Sequence, residues 1–99
     1  MLHIINKSPF QTSTLESCLR TAQAGDALLL IEDAVYAATQ GSAAEARLRE
    51  AGANLKLYAL RPDMDARGVS ARVLDGVSLV DYGGFVDLTV EHHTSHSWL

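Results

Sequence analysis

The side chains in this sequence that could do chemistry are one thiol, a few carboxylate pairs and a group of histidines near the carboxyl end. Cys18 is the only sulfur nucleophile available. Reactive thiolates sit at a helix N-terminus or beside a cation, where the negative charge is favoured and the pKa falls. Ser13 reads as an N-cap, which makes Cys18 the fifth helical residue, past the first turn and on one stripe with Leu15 and Leu19. That pattern describes a packed core thiol, and it stands against the alternative of a thiol that receives or presents sulfur. A lone cysteine excludes an internal disulfide and any cysteine-rich zinc site, which fits a reducing compartment.

Glu32 and Asp33, together with Asp63 and Asp65, fall after two of the apolar runs. Clustered carboxylates at such positions hold magnesium in other sheets of this kind, whereas acids before a helix start ordinarily cap it and face solvent. His92 and His96 are four apart, a spacing that zinc ligands use on a helix, with His93 beside them. A third ligand of defined spacing is missing, so an exposed polar terminus competes with a metal site. No metal is called for. His3 alternates within an apolar run and reads as a strand residue with a satisfied ring. Trp98 is a large aromatic where a chain end would otherwise fray, which implies a docked tail, on its own domain or on a neighbour.

Other chemistry is absent by motif. Neither a G-x-G-x-x-G loop nor a Walker-type lysine motif is present, so no nucleotide cofactor is expected. Gly83-Gly84 is the one glycine pair, suited to tight packing or an unusual turn at a helix start. No G-x-S-x-G elbow exists.

The elements that must position these residues follow from the hydropathy pattern. Four apolar runs, Leu2 to Ile5, Ala27 to Ile31, Leu55 to Leu60 and Val77 to Val80, read as strands, the second apolar throughout as in a strand covered on both faces. Ser13 and Glu16 form a capping box that starts a helix carrying Leu15, Cys18, Leu19 and Ala22 on one face, with Gly25 as its left-handed stop. Ala34 to Ala38 and Ser42 to Arg49 read as two helical pieces split at Gly41, the second ending at Gly52. Pro62 opens a helical turn or two over Asp63 to Gly68. Asp81 to His92 carries Phe85, Val86, Leu88, Val90 and His92 at helical spacings and reads as a packed amphipathic helix. Strands alternating with helices imply a single small α/β domain over residues 1–99, with a mainly parallel sheet of four or more strands and helices on both faces.

Bulk properties agree. The chain has 99 residues, 47% of them hydrophobic, enough for one core and without the signature of disorder. The net charge of −4, with its basic residues scattered, argues against autonomous nucleic-acid binding. The start lacks the pattern of a signal peptide, and no run is long enough to cross a bilayer, so a soluble, cytoplasmic protein without a membrane partner is expected.

Six segments in order carry a family resemblance: LHIINKSPF at the start, LESCLR, DALLLIEDAVYAA, LKLYALRPDMDARG, VDYGGFVDLT and the final SWL. Together they span nearly the whole chain, which resembles the TusB/DsrH subunits of bacterial sulfur-relay complexes, within the wider DsrE/F/H-like fold. The resemblance implies a cytoplasmic subunit of a heterohexamer built from two copies each of three homologous chains, the others being of the TusC/TusD or DsrF/DsrE type. It also implies a downstream sulfur acceptor protein, with direct tRNA contact left to another component. In such complexes the sister subunit related to TusD or DsrE carries its essential persulfide cysteine after the third strand. Leu60-Arg61-Pro62-Asp63 occupies that region here, without a thiol, which implies a structural or docking subunit. Some family members have a cysteine matching Cys18 and others do not, so an accessory persulfide role for Cys18 stays open. The default expectation is a non-catalytic or accessory subunit of a relay for 2-thiolation of the tRNA wobble uridine. The alternative is the equivalent subunit in cytoplasmic oxidation of stored sulfur, with Cys18 as an accessory sulfur-handling thiol.

Overall fold

A computed structural model describes residues 1–98. Its five strands, β1 (Leu2–Ile5), β2 (Ala27–Leu30), β3 (Lys56–Leu60), β4 (Val77–Val80) and β5 (Ser95–Trp98), lie in one all-parallel sheet of order β4-β3-β2-β1-β5. The central β2 is buried at all its positions, as its unbroken apolar run requires.

Handedness decides which face each connection covers. From β1 to β4 the chain advances one strand at a time in one direction, and right-handed crossovers put every connection on the same face. There Leu15, Cys18 and Leu19 of α1 (Thr14–Thr21), Val35 of a 3₁₀ segment (Glu32–Ala38), Leu48 of α2 (Glu45–Ala51) and Met64 of α3 (Arg61–Ala66) pack on Ile5, Leu28, Leu30, Leu57 and Ala59. The step from β4 to β5 runs back across the sheet, so the same rule sends α4 (Tyr82–Glu91) to the opposite face. That face is thinner. Leu88 and Phe85 of α4 meet Leu2, Ala27 and Leu29, with Ile4, Ile31, Tyr58 and Val80 only partly covered.

The expected parallel sheet with helices on both faces is thus present, and several local expectations are corrected. The first helix does begin at Thr14, yet Ser13 makes no side-chain cap. Glu16, the other half of the expected box, reaches instead across to Arg47, whose Nε donates to both its oxygens at 3.1 and 3.2 Å. The helix leaves through Ala22 in extended conformation, and Gly25, at φ 91°, serves the turn into β2. Ala34 to Ala38 belongs to a 3₁₀ segment, which advances about 2.0 Å per residue against 1.5 Å for an α-helix and so carries the chain on to the Thr39–Val73 bridge in fewer residues. In α4, Leu88 is buried and Phe85 half-buried, but Val86 and Val90, expected to pack, are exposed. The polar tail forms the edge strand β5, which its composition did not announce.

Gly84 shows why the glycine pair is there. A Cβ at this position would lie 2.9 Å from the Val80 Cβ, so α4 can approach β4 this closely only without a side chain. Asp81 caps the same helix, its Oδ1 accepting from the Gly84 N–H at 2.7 Å.

Candidate functional site

Cys18 sits on the inward stripe of α1, fully buried. Burial pushes its thiol pKa up to about 12, and the negative charge of Asp26 adds to the effect. Both causes oppose a thiolate, so the resting side chain is a protonated, apolar-packed thiol.

In an open parallel sheet, ligands bind outside the carboxyl ends of strands, where neighbouring connections leave on opposite faces. Here that point lies between β3, whose α3 goes to one face, and β4, whose α4 goes to the other. The lining is Leu60-Arg61-Pro62-Asp63 on one side and Asp81-Tyr82-Gly83-Gly84 on the other. No thiol is present in it.

Of the four acids considered for a cation, Asp33, Asp63 and Asp65 are engaged by the fold through their carboxylates and Glu32 through its backbone. Asp63 Oδ2 accepts the Glu32 N–H at 2.7 Å and so holds Glu32 at φ 49°, a left-handed conformation that a residue with a side chain rarely adopts. Arg67 donates through Nε and Nη2 to Asp33 Oδ1 at 3.1 and 2.9 Å and through Nη1 to the Asp63 carbonyl at 3.1 Å. Asp65 accepts from the Ser70 hydroxyl. Among the described residues no three His, Cys, Asp or Glu side chains converge as metal ligands would.

The histidines divide. His92 ends α4, with its Nε2 buried and without a hydrogen-bond partner. His96 lies in β5, its ring tilted at 47° to Trp98 with centroids 4.6 Å apart. His3, 2% exposed, joins the two ends of the chain: its Nε2 is 2.9 Å from Asp26 Oδ2, and its Nδ1 accepts the Trp98 indole N–H at 3.2 Å. Trp98 therefore docks on its own sheet, against β1, rather than projecting from it.

Asp26 anchors this network. Its carboxyl is held far below the usual range, first by the Gln23 backbone N–H at 3.0 Å, then, against its own burial, by His3 and by the Met1 ammonium at 3.0 Å. The sequence signalled a satisfied ring at His3 but not its partners. Parallel pairing of β1 with both β2 and β5 brings them together, and a period-two pattern carries no information about which strands pair.

Two surface features lie apart from these groups. A cleft of about 510 Å³ lies between the Pro9–Ser13 loop and residues Ala43, Ala44 and Arg47, with the exposed Phe10 at its rim. Along α4, Tyr82, Val86 and Val90, at i, i+4 and i+8, are 63, 59 and 73% exposed and form an apolar stripe. No helix of the described residues is long and apolar enough to cross a membrane.

Known proteins resemble this chain over its whole length. It is 42% identical over 98 residues to Protein TusB of Pectobacterium parmentieri and 40% identical over 98 residues to that of Escherichia coli K12, covering 99% of this chain and 100% of each relative. Its fold matches the crystal structure of the ychN protein from E. coli with a TM-score of 0.82 at 21% identity, over 97% of both chains. A protein of unknown function from Methanobacterium thermoautotrophicum follows at a TM-score of 0.76 and 17% identity, over 97% of this chain and 95% of the other. The family model described as DsrH like protein matches residues 7–95, and the chain belongs to that family.

Proposed function

We propose that this protein is a non-catalytic subunit of a cytoplasmic sulfur-relay complex, holding homologous small subunits together while a sister chain carries the persulfide, with tRNA wobble-uridine 2-thiolation as the end use. Family membership supports the relay role. The observation that carries the non-catalytic part is the burial of the only thiol: Cys18 is fully buried, protonated and remote in sequence from the crevice at the ends of β3 and β4. A group that exchanges sulfur with partner proteins must be reached by them and must ionise. Cys18 meets neither need in this fold. The apolar stripe of Tyr82, Val86 and Val90 on α4 supports the assembly role, because it adds unpaired apolar surface to the thinly covered sheet face and fits a homologous subunit presenting apolar surface of its own.

The experiment is co-expression with the two homologous small subunits, using the wild type and Cys18→Ala. We expect both to co-purify, and both to restore 2-thiouridine in digested tRNA from a strain lacking this chain. A Cys18→Ala complex that assembles but leaves the tRNA unthiolated refutes the non-catalytic role. Failure of the wild type to restore thiolation refutes the tRNA end use.

A further inference from the structure

We propose that His3 is a proton-operated latch for the carboxyl-terminal strand, keeping β5 on the sheet only while its imidazole is neutral. Donor and acceptor chemistry fixes where the ring carries its proton. An indole N–H donates and never accepts, so the 3.2 Å contact from Trp98 Nε1 requires a lone pair on His3 Nδ1. The ring's single proton is then on Nε2, facing Asp26 Oδ2 at 2.9 Å. Both ring nitrogens are committed. A second proton can go only to Nδ1, where it would confront the indole proton.

Of the charged or titratable groups around the ring, Asp26 favours that second proton once Trp98 has left, and the Met1 ammonium opposes it. Asp26, from the turn before β2, offers its carboxylate and is itself fixed by the Gln23 N–H and the Met1 ammonium. The ammonium repels an imidazolium, but its charge is already paired with the same carboxylate at 3.0 Å. From α1, Cys18 contributes a neutral thiol, and from β2 the register neighbour of His3 is the apolar Leu28. On β5, His96 is exposed and its ring meets Trp98 at a tilt; a positive charge on it would repel an imidazolium on His3 while both strands stay paired, which again favours separation. The undocked state thus binds one more proton at His3 than the docked state does. By linkage, acid shifts the balance toward undocking.

The device gives way at an edge. Among the described residues β5 pairs with β1 alone, and three of its four residues, Ser95, His96 and Ser97, are exposed, so beyond the ladder to β1 the strand is attached through the Trp98 ring and its indole hydrogen bond. Its release would bare the backbone of Leu2 to Ile5, converting a covered strand into one able to pair with another chain.

Trp98 is the one tryptophan of the chain, so a ¹⁵N-labelled sample gives a single indole N–H resonance to follow. Hydrogen-exchange protection of that proton, corrected for intrinsic rates, is measured on the full chain between about pH 8 and 5, the range in which imidazoles titrate, with the Leu29 amide of β2 as reference. We expect the indole protection to fall by about tenfold per pH unit at the acid end while Leu29 stays protected. His96→Gln is expected to keep this slope. His3→Asn, which offers an uncharged acceptor, is expected to abolish it. A flat profile in the wild type overturns the proposal, as does parallel loss at Leu29, which would mean global unfolding, or a slope that vanishes in His96→Gln. If His3→Asn does not fold, the wild type and His96→Gln still decide between these outcomes.

Discussion

Reaction of Cys18 with a thiol reagent offers a direct measure of the burial on which the functional reading rests. Only the thiolate attacks, and its fraction near neutrality falls about tenfold for each unit by which the pKa exceeds the ordinary value. Burial, with the charge of Asp26 behind it, raises the Cys18 pKa from 9.0 to about 12. The folded thiol should therefore alkylate about a thousandfold more slowly at pH 7.5 than the same residue in denaturant, and the absence of exposed surface slows it further. Iodoacetamide labelling followed by intact mass, with and without guanidinium, reads the ratio. The same shift sets a pH dependence of stability. Because the folded pKa is raised, the contribution is complete below the unfolded value and is lost as pH rises between about 9 and 12, at about 1.4 kcal/mol per unit, so Cys18→Ala should flatten the stability profile across that window. Folded-state labelling within about tenfold of the denatured rate would refute the argument, since it would require a thiol both reachable and ionised.

Three substitutions probe other parts of the molecule. Gly84→Ala forces a Cβ to within 2.9 Å of the Val80 Cβ and should cost about 1–3 kcal/mol in chemical denaturation, without altering the cap from Asp81; an unchanged midpoint would show that α4 can move off β4 freely. Val86→Asp puts a charge in the middle of the exposed stripe on α4 and should leave the thermal midpoint of the isolated chain close to that of the wild type. Its affinity for the homologous subunits should fall at least about tenfold, or 1.4 kcal/mol, and an unaffected complex would remove that stripe from the interface. Asp63→Ala deprives the Glu32 N–H of its acceptor while leaving the φ 49° conformation to be held without it, and should destabilise by about 1–3 kcal/mol; Glu32→Gly in the same background should recover part of the loss.

What the sequence disclosed, and what it withheld, follow from the range over which each signal acts. β2 was legible because Ala27 to Leu30 is apolar at every position, and all four are buried. Cys18 was legible as a packed thiol because its spacing from Leu15 and Leu19 is a property of one helix, and all three share the core. Glu16 misled because a Ser-x-x-Glu pattern reports only local opportunity, whereas Arg47, far along the chain, supplied a competing partner. β5 was invisible for the same reason. Ser95-His96-Ser97 carries no apolar run, and the strand exists because β1 offers an open edge and Trp98 finds His3. The acids after β2 and β3 read more readily as solvated carboxylates at helix starts than as a cation site, and neither reading foresaw Asp63 holding the Glu32 N–H or Arg67 pairing with Asp33, because both partners lie more than thirty residues away.

The exposure of Val86 and Val90 follows from the order of the strands rather than from α4 itself. Three connections share one face because each advances in the same direction, and they enclose most of the core. A single ten-residue helix must cover the other face of five strands. Lying roughly along the strands it covers a width of about 10–12 Å, whereas five strands about 4.8 Å apart extend about 19 Å between the outermost axes, so one helix leaves part of the sheet open. Ile4, Ile31, Tyr58 and Val80 are accordingly only partly covered. Polar residues at those positions would close the account with solvent, but the chain keeps them apolar and carries a further apolar stripe on the outside of the covering helix. Exposed surface on both the sheet and its cover gives a second subunit two adjoining apolar regions to occupy at once, as the proposed assembly role requires.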